Sequence, residues 1–157
     1  MKIKGLQTLV PVFRRYEKAQ LWIVGVGDYE PVLRRMAEKS PNIKFLGYQS
    51  GEQLRILYKQ ALATIVFSLW YEVFGLVILE AFSHDTPVIV RNRGAMPKII
   101  EANGGGFVFD TDKELLVSLL HLRRHCRAMP AFICNWSYIT GKIPGNLLIC
   151  RMMCSWA

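Results

Sequence analysis

Cysteine is absent from the first 125 residues of this 157-residue chain, which excludes a disulfide framework for most of its length. The four cysteines present, Cys126, Cys134, Cys150 and Cys154, form no C-x-x-C pair and have no histidine at zinc-ligand spacing. No metal site is therefore expected, and an intracellular, cytoplasmic setting is. Apolar runs of about 18 residues are also missing, so no transmembrane segment is expected. Lys2 and Lys4 precede a mildly apolar run, but Gln7, Thr8 and Pro11 interrupt it, which fits an amphipathic helix better than a targeting signal. Acidic residues stop at Glu114, whereas Arg123, Arg124, Arg127, Lys142 and Arg151 continue to the end. The formal net charge of +8 thus belongs mostly to the tail. Those arginines are sparse, and Phe132, Trp136, Tyr138 and Trp156 form no repeated stacking platform, so no nucleic-acid partner is expected.

What is present is an alternation of short apolar runs with helical patterns. Leu6, Leu9, Val10 and Phe13 fall near helical spacing, and Leu21–Val24 is a strand run ended by Gly25 and Gly27. Pro31 opens a helix, Ile43–Leu46 is a second strand ending at Gly47, and Ser50 with Gln53 predicts a capping box. Leu62–Phe67, Pro87–Val90 and Gly106–Phe109 are further strands; a helix containing Glu80 follows the first of them, a short helix over Met96–Ala102 follows the second, and Thr111 caps a helix after the third. The strands are apolar throughout rather than alternating, which indicates a parallel sheet covered on both faces. The expected class is α/β, a doubly wound, mostly parallel sheet. In such sheets ligands bind at the carboxyl ends of the strands, where Gly25, Gly27, Gly47, Glu72 and Gly94 all fall.

After about residue 124 this grammar stops. Residues 1–124 form the expected domain, and 125–157 an atypical basic tail expected to be irregular. Its change in composition suggests sequence of different origin joined to a cut domain, or else an unusual natural extension.

Glu72 and Glu80 stand eight positions apart around Gly75 and an apolar helix start. At the helical rise their separation is roughly 12 Å, about the length of a sugar diphosphate plus a ribose. Such a pair is either a loop acid with a solvated helix acid, favoured near a helix N-terminus, or a ligand-binding pair. Its place at a strand's carboxyl end favours the latter. Gly25-Val26-Gly27 lacks the third glycine of a dinucleotide fingerprint. Trp22 fits strand core, His84 fits a turn after a helix, and Arg91 and Arg93 fit either a phosphate site or a solvated rim. Trp70 and Tyr71 either line the site or cover the sheet edge.

From Lys4 to Leu120 the chain resembles the C-terminal, donor-binding domain of the group 1 (family 4) retaining glycosyltransferases. Lys4-Gly5, Leu21–Gly27, Asn42–Gly47, the E-x7-E segment Ser68–Ala81 and Pro87–Gly94 carry the resemblance, in order and at family spacing. It implies the Rossmann-like half of a GT-B fold and transfer of a glycosyl unit from a nucleotide-sugar donor with retention, without a metal or other cofactor. By the same resemblance Glu72 is the catalytic-site acid that accepts hydrogen bonds from the donor sugar. Lys4, Val73, Phe74, Gly75 and Gly94 would bind sugar and diphosphate, Glu80 the ribose, and Gly47, Tyr48 and Gln49 the base. The helix start at Gly75 agrees with the physics of anion sites.

Several departures accompany it. The family's Gly-Gly pair is Gly94-Ala95, its downstream Glu is Lys98, and the glycine before the Pro87 strand is Asp85. Set against the family, this sequence is expected to lack the acceptor domain and the first strand. In a sheet ordered 3-2-1-4-5-6 that strand is central, so its loss would leave the strands at Leu21 and Leu62 without a shared neighbour. The alternative to a transferase fragment is a truncated, non-catalytic isoform or pseudo-domain acting as an interaction or regulatory module.

Overall fold

A computed structural model describes residues 5–67 and 76–124 in full, together with the backbone of 125–128 and 147–151. The elements alternate: α1 Leu6–Arg15, β1 Gln20–Val24, α2 Glu30–Met36, β2 Ile43–Gly47, α3 Gly51–Gln60 and β3 Ala63–Val66. Then follow α4 Leu76–Phe82, β4 Val88–Arg91, α5 Met96–Asn103, β5 Gly106–Phe109, α6 Asp112–Ala128 and β6 Leu147–Arg151. All strand pairs are parallel, in the order β2-β1-β6-β3-β4-β5. The doubly wound parallel sheet expected from the sequence is what the chain forms.

Two apolar layers cover the sheet. On one face α1, α2 and α6 bury Leu9, Val10, Phe13, Leu33 and Leu115 against Leu21, Ile23, Ile65, Ile89 and Phe109. On the other, α3, α4 and α5 bury Leu54, Tyr58, Ile78, Met96 and Ile100 against Val24, Val88 and Val90. Strand residues alternate between the two layers, and both layers are apolar, which explains the unbroken apolar runs. Trp22 packs half-buried against the second layer, and its Nε1 donates to Gln20 Oε1 at 3.2 Å.

The tail departs from the expectation. Residues 147–151, expected to be irregular, form β6 between β1 and β3. Gln20–Val24 pair with Leu147–Arg151, and Ala63 and Thr64 pair with Leu148 and Ile149. The gap predicted at the centre of the sheet is therefore filled, by the opposite end of the chain. The physical reason is that buried ladder groups need partners, and Leu147-Leu-Ile-Cys150 is an apolar run of strand length. The last helix also runs to Ala128, past the expected boundary at 124.

Two caps separate expectation from outcome. Thr111 caps α6 as predicted: Glu114 N–H donates to Thr111 Oγ1 at 3.2 Å, and Asp110 N–H donates to Glu114 Oε2 at 2.7 Å. Ser50 makes no such side-chain bond, so the Ser50–Gln53 box does not form. Gly51, at φ 54°, starts α3 from the left-handed region, where glycine is at ease. No helix among the described residues is long and apolar enough to cross a membrane.

Asn42 joins α1 to the sheet. Its buried Nδ2 donates to the carbonyls of Phe13 at 2.9 Å and Ala19 at 3.2 Å, and its own carbonyl accepts from Leu21 N–H at 2.8 Å. Gly106 joins β5 to β4 by close approach, since a Cβ there would stand 2.5 Å from the Val88 carbonyl oxygen. Asn42→Ala is expected to destabilise the fold by about 2–3 kcal/mol by orphaning two buried carbonyls. Gly106→Ala is expected to cost roughly 1–3 kcal/mol by overpacking against backbone. Urea unfolding monitored by circular dichroism checks both, and an unchanged midpoint for either removes its stated role.

Candidate functional site

The carboxyl edge of the sheet gathers most of the described residues singled out by sequence. Gly25, at φ 115°, ends β1, and its N–H donates to the Gly47 carbonyl at 2.6 Å. That bond ties the turns after β1 and β2 together. Gly47 is itself left-handed at φ 67°, with no heavy atom near the position of an added Cβ, so conformation rather than crowding favours glycine there. Tyr48 follows, 67% exposed, and Gln49 folds back so that its Nε2 donates to the Leu46 carbonyl at 2.8 Å. An exposed ring beside a fixed turn is free to lie against a planar ligand.

On the other side of β6, β3 ends at Val66 and α4 begins at Leu76. Glu80 is half-buried on α4 rather than on its solvated face, which is where Leu76 and Leu79 lie. The Tyr58 hydroxyl donates to Glu80 Oε2 at 3.2 Å. Tyr58 is fully buried on α3, stacks at 5.4 Å on the His84 ring, and gives its carbonyl to Thr86 Oγ1 at 2.8 Å. An apolar ring that delivers a polar tip to a carboxylate holds the acid without neutralising it. With Leu54, Leu57 and Ala61 at helical spacing, Tyr58 reads from sequence only as a core residue of its helix. A tyrosine in an otherwise aliphatic stripe was the available signal, because a buried tyrosine hydroxyl needs a partner.

Gly94 takes φ 61° in the turn after β4, while Ala95 adopts the right-handed conformation at φ −83°. Alanine at 95 therefore costs no backbone freedom. Asp85 does occupy the left-handed region, at φ 57°, where the family's glycine would be easier. It sits with His84 in the turn between α4 and β4, at the amino edge, so His84 is a turn residue whose ring packs on Tyr58. Lys98 is exposed on α5.

Arg91 is half-buried rather than on a solvated rim. Its guanidinium lies over the Phe67 ring at 4.9 Å, and Phe67 packs on Phe109 at 5.0 Å. Among the described residues the buried Arg91 Nη1 has no hydrogen-bond partner. Beside it Asn92 Nδ2 donates to Asp110 Oδ2 at 2.9 Å, and Arg93 is exposed. Among the described residues no group of three or more His, Cys, Asp or Glu is arranged to hold a metal ion. The Glu52 carboxyl lies below its usual range because Arg55 donates hydrogen bonds to it, and Arg55 is raised by the same pair. Both are open to solvent on α3, so the pair marks a helix surface.

Lys4, Glu72, Val73, Phe74 and Gly75, like Trp70 and Tyr71, lie outside the described residues. The structure thus brings Gly47, Tyr48, Gln49 and Gly94 to one edge of the sheet. It puts Glu80 on the helix that starts from that edge.

Comparison with known proteins gives a consistent result. The family model for glycosyl transferases group 1 matches residues 2–129. An uncharacterized glycosyltransferase of Methanocaldococcus jannaschii is 36% identical over 109 residues, covering 64% of this chain and 28% of that protein. A Corynebacterium glutamicum protein named as a GDP-mannose-dependent monoacylated alpha-(1-6)-phosphatidylinositol monomannoside mannosyltransferase is 38% identical over 120 residues, covering 65% of this chain and 30% of its own. Among solved structures, TarM superposes with a TM-score of 0.64 at 18% identity, over 88% of this chain and 27% of that one. AviGT4, a glycosyltransferase involved in avilamycin A biosynthesis, gives 0.61 at 19% identity, over 93% and 44%. At these identities the structural likeness concerns the fold, that of GT-B glycosyltransferases. The chain spans about a quarter to a third of the length of the curated relatives it matches.

Tyr58→Phe removes the hydroxyl that reaches Glu80 while keeping the ring. It is expected to lower unfolding free energy by about 1 kcal/mol with the fold intact by circular dichroism. A midpoint identical to that of the unaltered chain sinks the view that this bond holds the acid.

Proposed function

The chain belongs to the group 1 glycosyl transferases, and we propose that it binds the nucleotide-sugar donor for glycosyl transfer with retention. The observation that carries this reading is Glu80, a half-buried carboxylate held by Tyr58 on the helix that leaves the carboxyl end of β3. A ribose diol presents two donors to such an acid, and hydrogen bonds to a charged acceptor are the stronger kind. Gly47, Tyr48 and Gln49 supply the base side, across β6. Gly94 supplies close backbone approach to phosphate from the next strand. The buried and unpartnered Arg91 Nη1 supports an anion at this edge, since a guanidinium recognises phosphate oxygens well.

In this reading Glu72 accepts hydrogen bonds from the donor sugar, and Val73, Phe74 and Gly75 present backbone N–H groups to sugar and diphosphate. Lys4 adds a point charge. The departing diphosphate is stabilised by fixed N–H groups and cations rather than by a metal, which lowers the barrier only where charge develops. Of the two acids Glu72 takes the sugar end of the donor and Glu80 the ribose end, a division unlike the acid–nucleophile pair of a glycosidase, which acts on one bond. GDP-mannose is the first donor to try, because a relative's name carries it.

Donor binding is the property proposed for this chain alone. Completed transfer needs an acceptor domain, and the greater length of the relatives leaves room for one. Isothermal titration of the chain with GDP-mannose and UDP-glucose is expected to give one-to-one binding of at least one donor. Glu80→Ala is expected to weaken it about tenfold or more, equivalent to loss of one charge-assisted hydrogen bond. Arg91→Met is expected to weaken it and flatten its salt dependence. No heat from either donor with folded protein, or full affinity in the Glu80 variant, overturns the reading.

A further inference from the structure

Nine glycines fall among the described residues, and eight have a visible reason to be glycine. Seven of them take a left-handed φ, and at Gly106 an added Cβ would crowd the Val88 carbonyl oxygen. Gly27 has neither reason. Its φ lies outside the left-handed region, and an added Cβ would meet no heavy atom within 4 Å. A glycine that the fold does not require costs chain entropy for nothing. Close approach of the backbone to a ligand is the use of glycine that remains.

The place of Gly27 says what approaches. It stands two residues past the bond from Gly25 N–H to the Gly47 carbonyl, and Tyr48 stands one residue past the same bond on the neighbouring turn. β1 and β2 are paired strands, about 4.8 Å apart, so the two turns leave the sheet side by side. Glu30 N–H donates to the Gly27 carbonyl at 2.9 Å, which holds Asp28 in a tight turn. The two acids of this turn differ. Arg34 takes Glu30, with Nε donating to Oε1 at 2.8 Å. Asp28 is exposed and makes no hydrogen bond or ion pair among the described residues.

We propose that Gly27 and Asp28 form the second wall of the base site, beside Tyr48, and that Asp28 selects guanine. This rests on the donor reading and adds to it the residues that choose the base. Tyr48 offers a ring face, Gly27 lets the base come close to main chain, and Asp28 reads the edge of the base. An ionised carboxylate has acceptors only. Guanine presents two adjacent donors to it, N1–H and the 2-amino group. Adenine presents a bare N1 acceptor, and uracil flanks its one N–H with two carbonyl oxygens, so both set lone pairs against the carboxylate. Hydrogen bonds to a charged acceptor are the stronger kind, and a polar site left unpaired by the wrong ligand discriminates steeply. An acid at this place also suits the start of α2 through the helix dipole, but that role carries no preference among bases.

Isothermal titration of the full, unaltered chain with guanosine, inosine, adenosine and uridine diphosphates tests the assignment. Guanosine diphosphate is expected to bind at least about tenfold more tightly than each of the others, inosine diphosphate included, since it lacks only the 2-amino group. Binding without a guanine preference overturns this proposal alone, whereas binding of none of the four by folded protein overturns the donor reading with it. Asp28→Asn is expected to bind xanthosine diphosphate more tightly than guanosine diphosphate, because N1–H beside a C2 carbonyl matches the C=O and N–H of an amide. An unchanged ratio of guanine to xanthine affinity leaves Asp28 a charge at a helix start and sinks its role. Gly27→Ala is expected to keep or raise the urea midpoint while weakening guanosine diphosphate at least about tenfold. Full affinity in that variant, or a lowered midpoint, removes Gly27 from the site.

Discussion

The central parallel ladder is the constraint on which the rest depends. A strand buried under helices on both faces has no solvent to satisfy its main chain, so both of its edges must be paired. β1 meets this condition with β2 on one side and β6 on the other, and β3 meets it with β6 and β4. Both apolar layers cross the junction: Ala63 and Ile65 share one layer with Leu21 and Ile23, and Val24 shares the other with Val88 and Val90. Packing therefore draws the two halves together without regard to direction, while the ladder sets their register. Hydrophobic burial is non-directional, and a one-residue slip turns every side chain to the wrong face. The division of labour explains why the identity of the strand in the gap matters less than its presence.

The same constraint places the candidate site residues. Parallel strands deliver every strand-to-helix turn to one edge, so residues distant in sequence converge without any having to be buried for that purpose. Gly25 and Gly47 are coupled there by a direct main-chain bond, which makes the turns after β1 and β2 a single unit. Glu80 is coupled instead through Tyr58 to α3 and to the turn around Thr86. The acid is thus positioned by the helical layer and not by the sheet. A distortion of the ladder moves the glycine turns first, and a distortion of the layer formed by α3 and α4 moves Glu80 first.

Much of this was legible in the sequence, for identifiable reasons. Unbroken apolar runs at Leu21–Val24 and Pro87–Val90 have only one common explanation in an alternating chain, a parallel sheet with two covered faces. The resemblance to the donor domain supplied the strand order, and the order β2-β1-gap-β3-β4-β5 was correct in every described position. Leu147–Cys150 was passed over because a four-residue apolar run between Gly145-Asn146 and Arg151 is ambiguous alone, and its partners lie more than 80 residues earlier. Local pattern carries no information about a vacancy elsewhere in the chain. The Ser50 box failed because Gly51 turns the chain into the left-handed region at the point where the box requires helical geometry. Tyr58 was legible as core but not as a partner for Glu80, since the pairing joins two helices that only the fold brings together.

Charge at the carboxyl edge follows from where its cations are held. Arg91 leaves the end of β4, where the family-like strand runs into its glycine turn, and lies between the Phe67 ring and the end of the sheet. A cation over an aromatic face in a half-dry setting is stabilised by something like 0.5–2 kcal/mol. The penalty for leaving a buried N–H unpaired is about 1–3 kcal/mol. The two magnitudes are comparable, and in the proposed reading an anionic oxygen at this position would pair with Nη1. Glu80, half-buried on the helix that starts from this edge, is already engaged by Tyr58. In the proposed reading the opposed charges are kept in separate places, the carboxylate for hydroxyl groups and the guanidinium for phosphate. A ligand carrying both groups in one molecule is the simplest species that satisfies the two together.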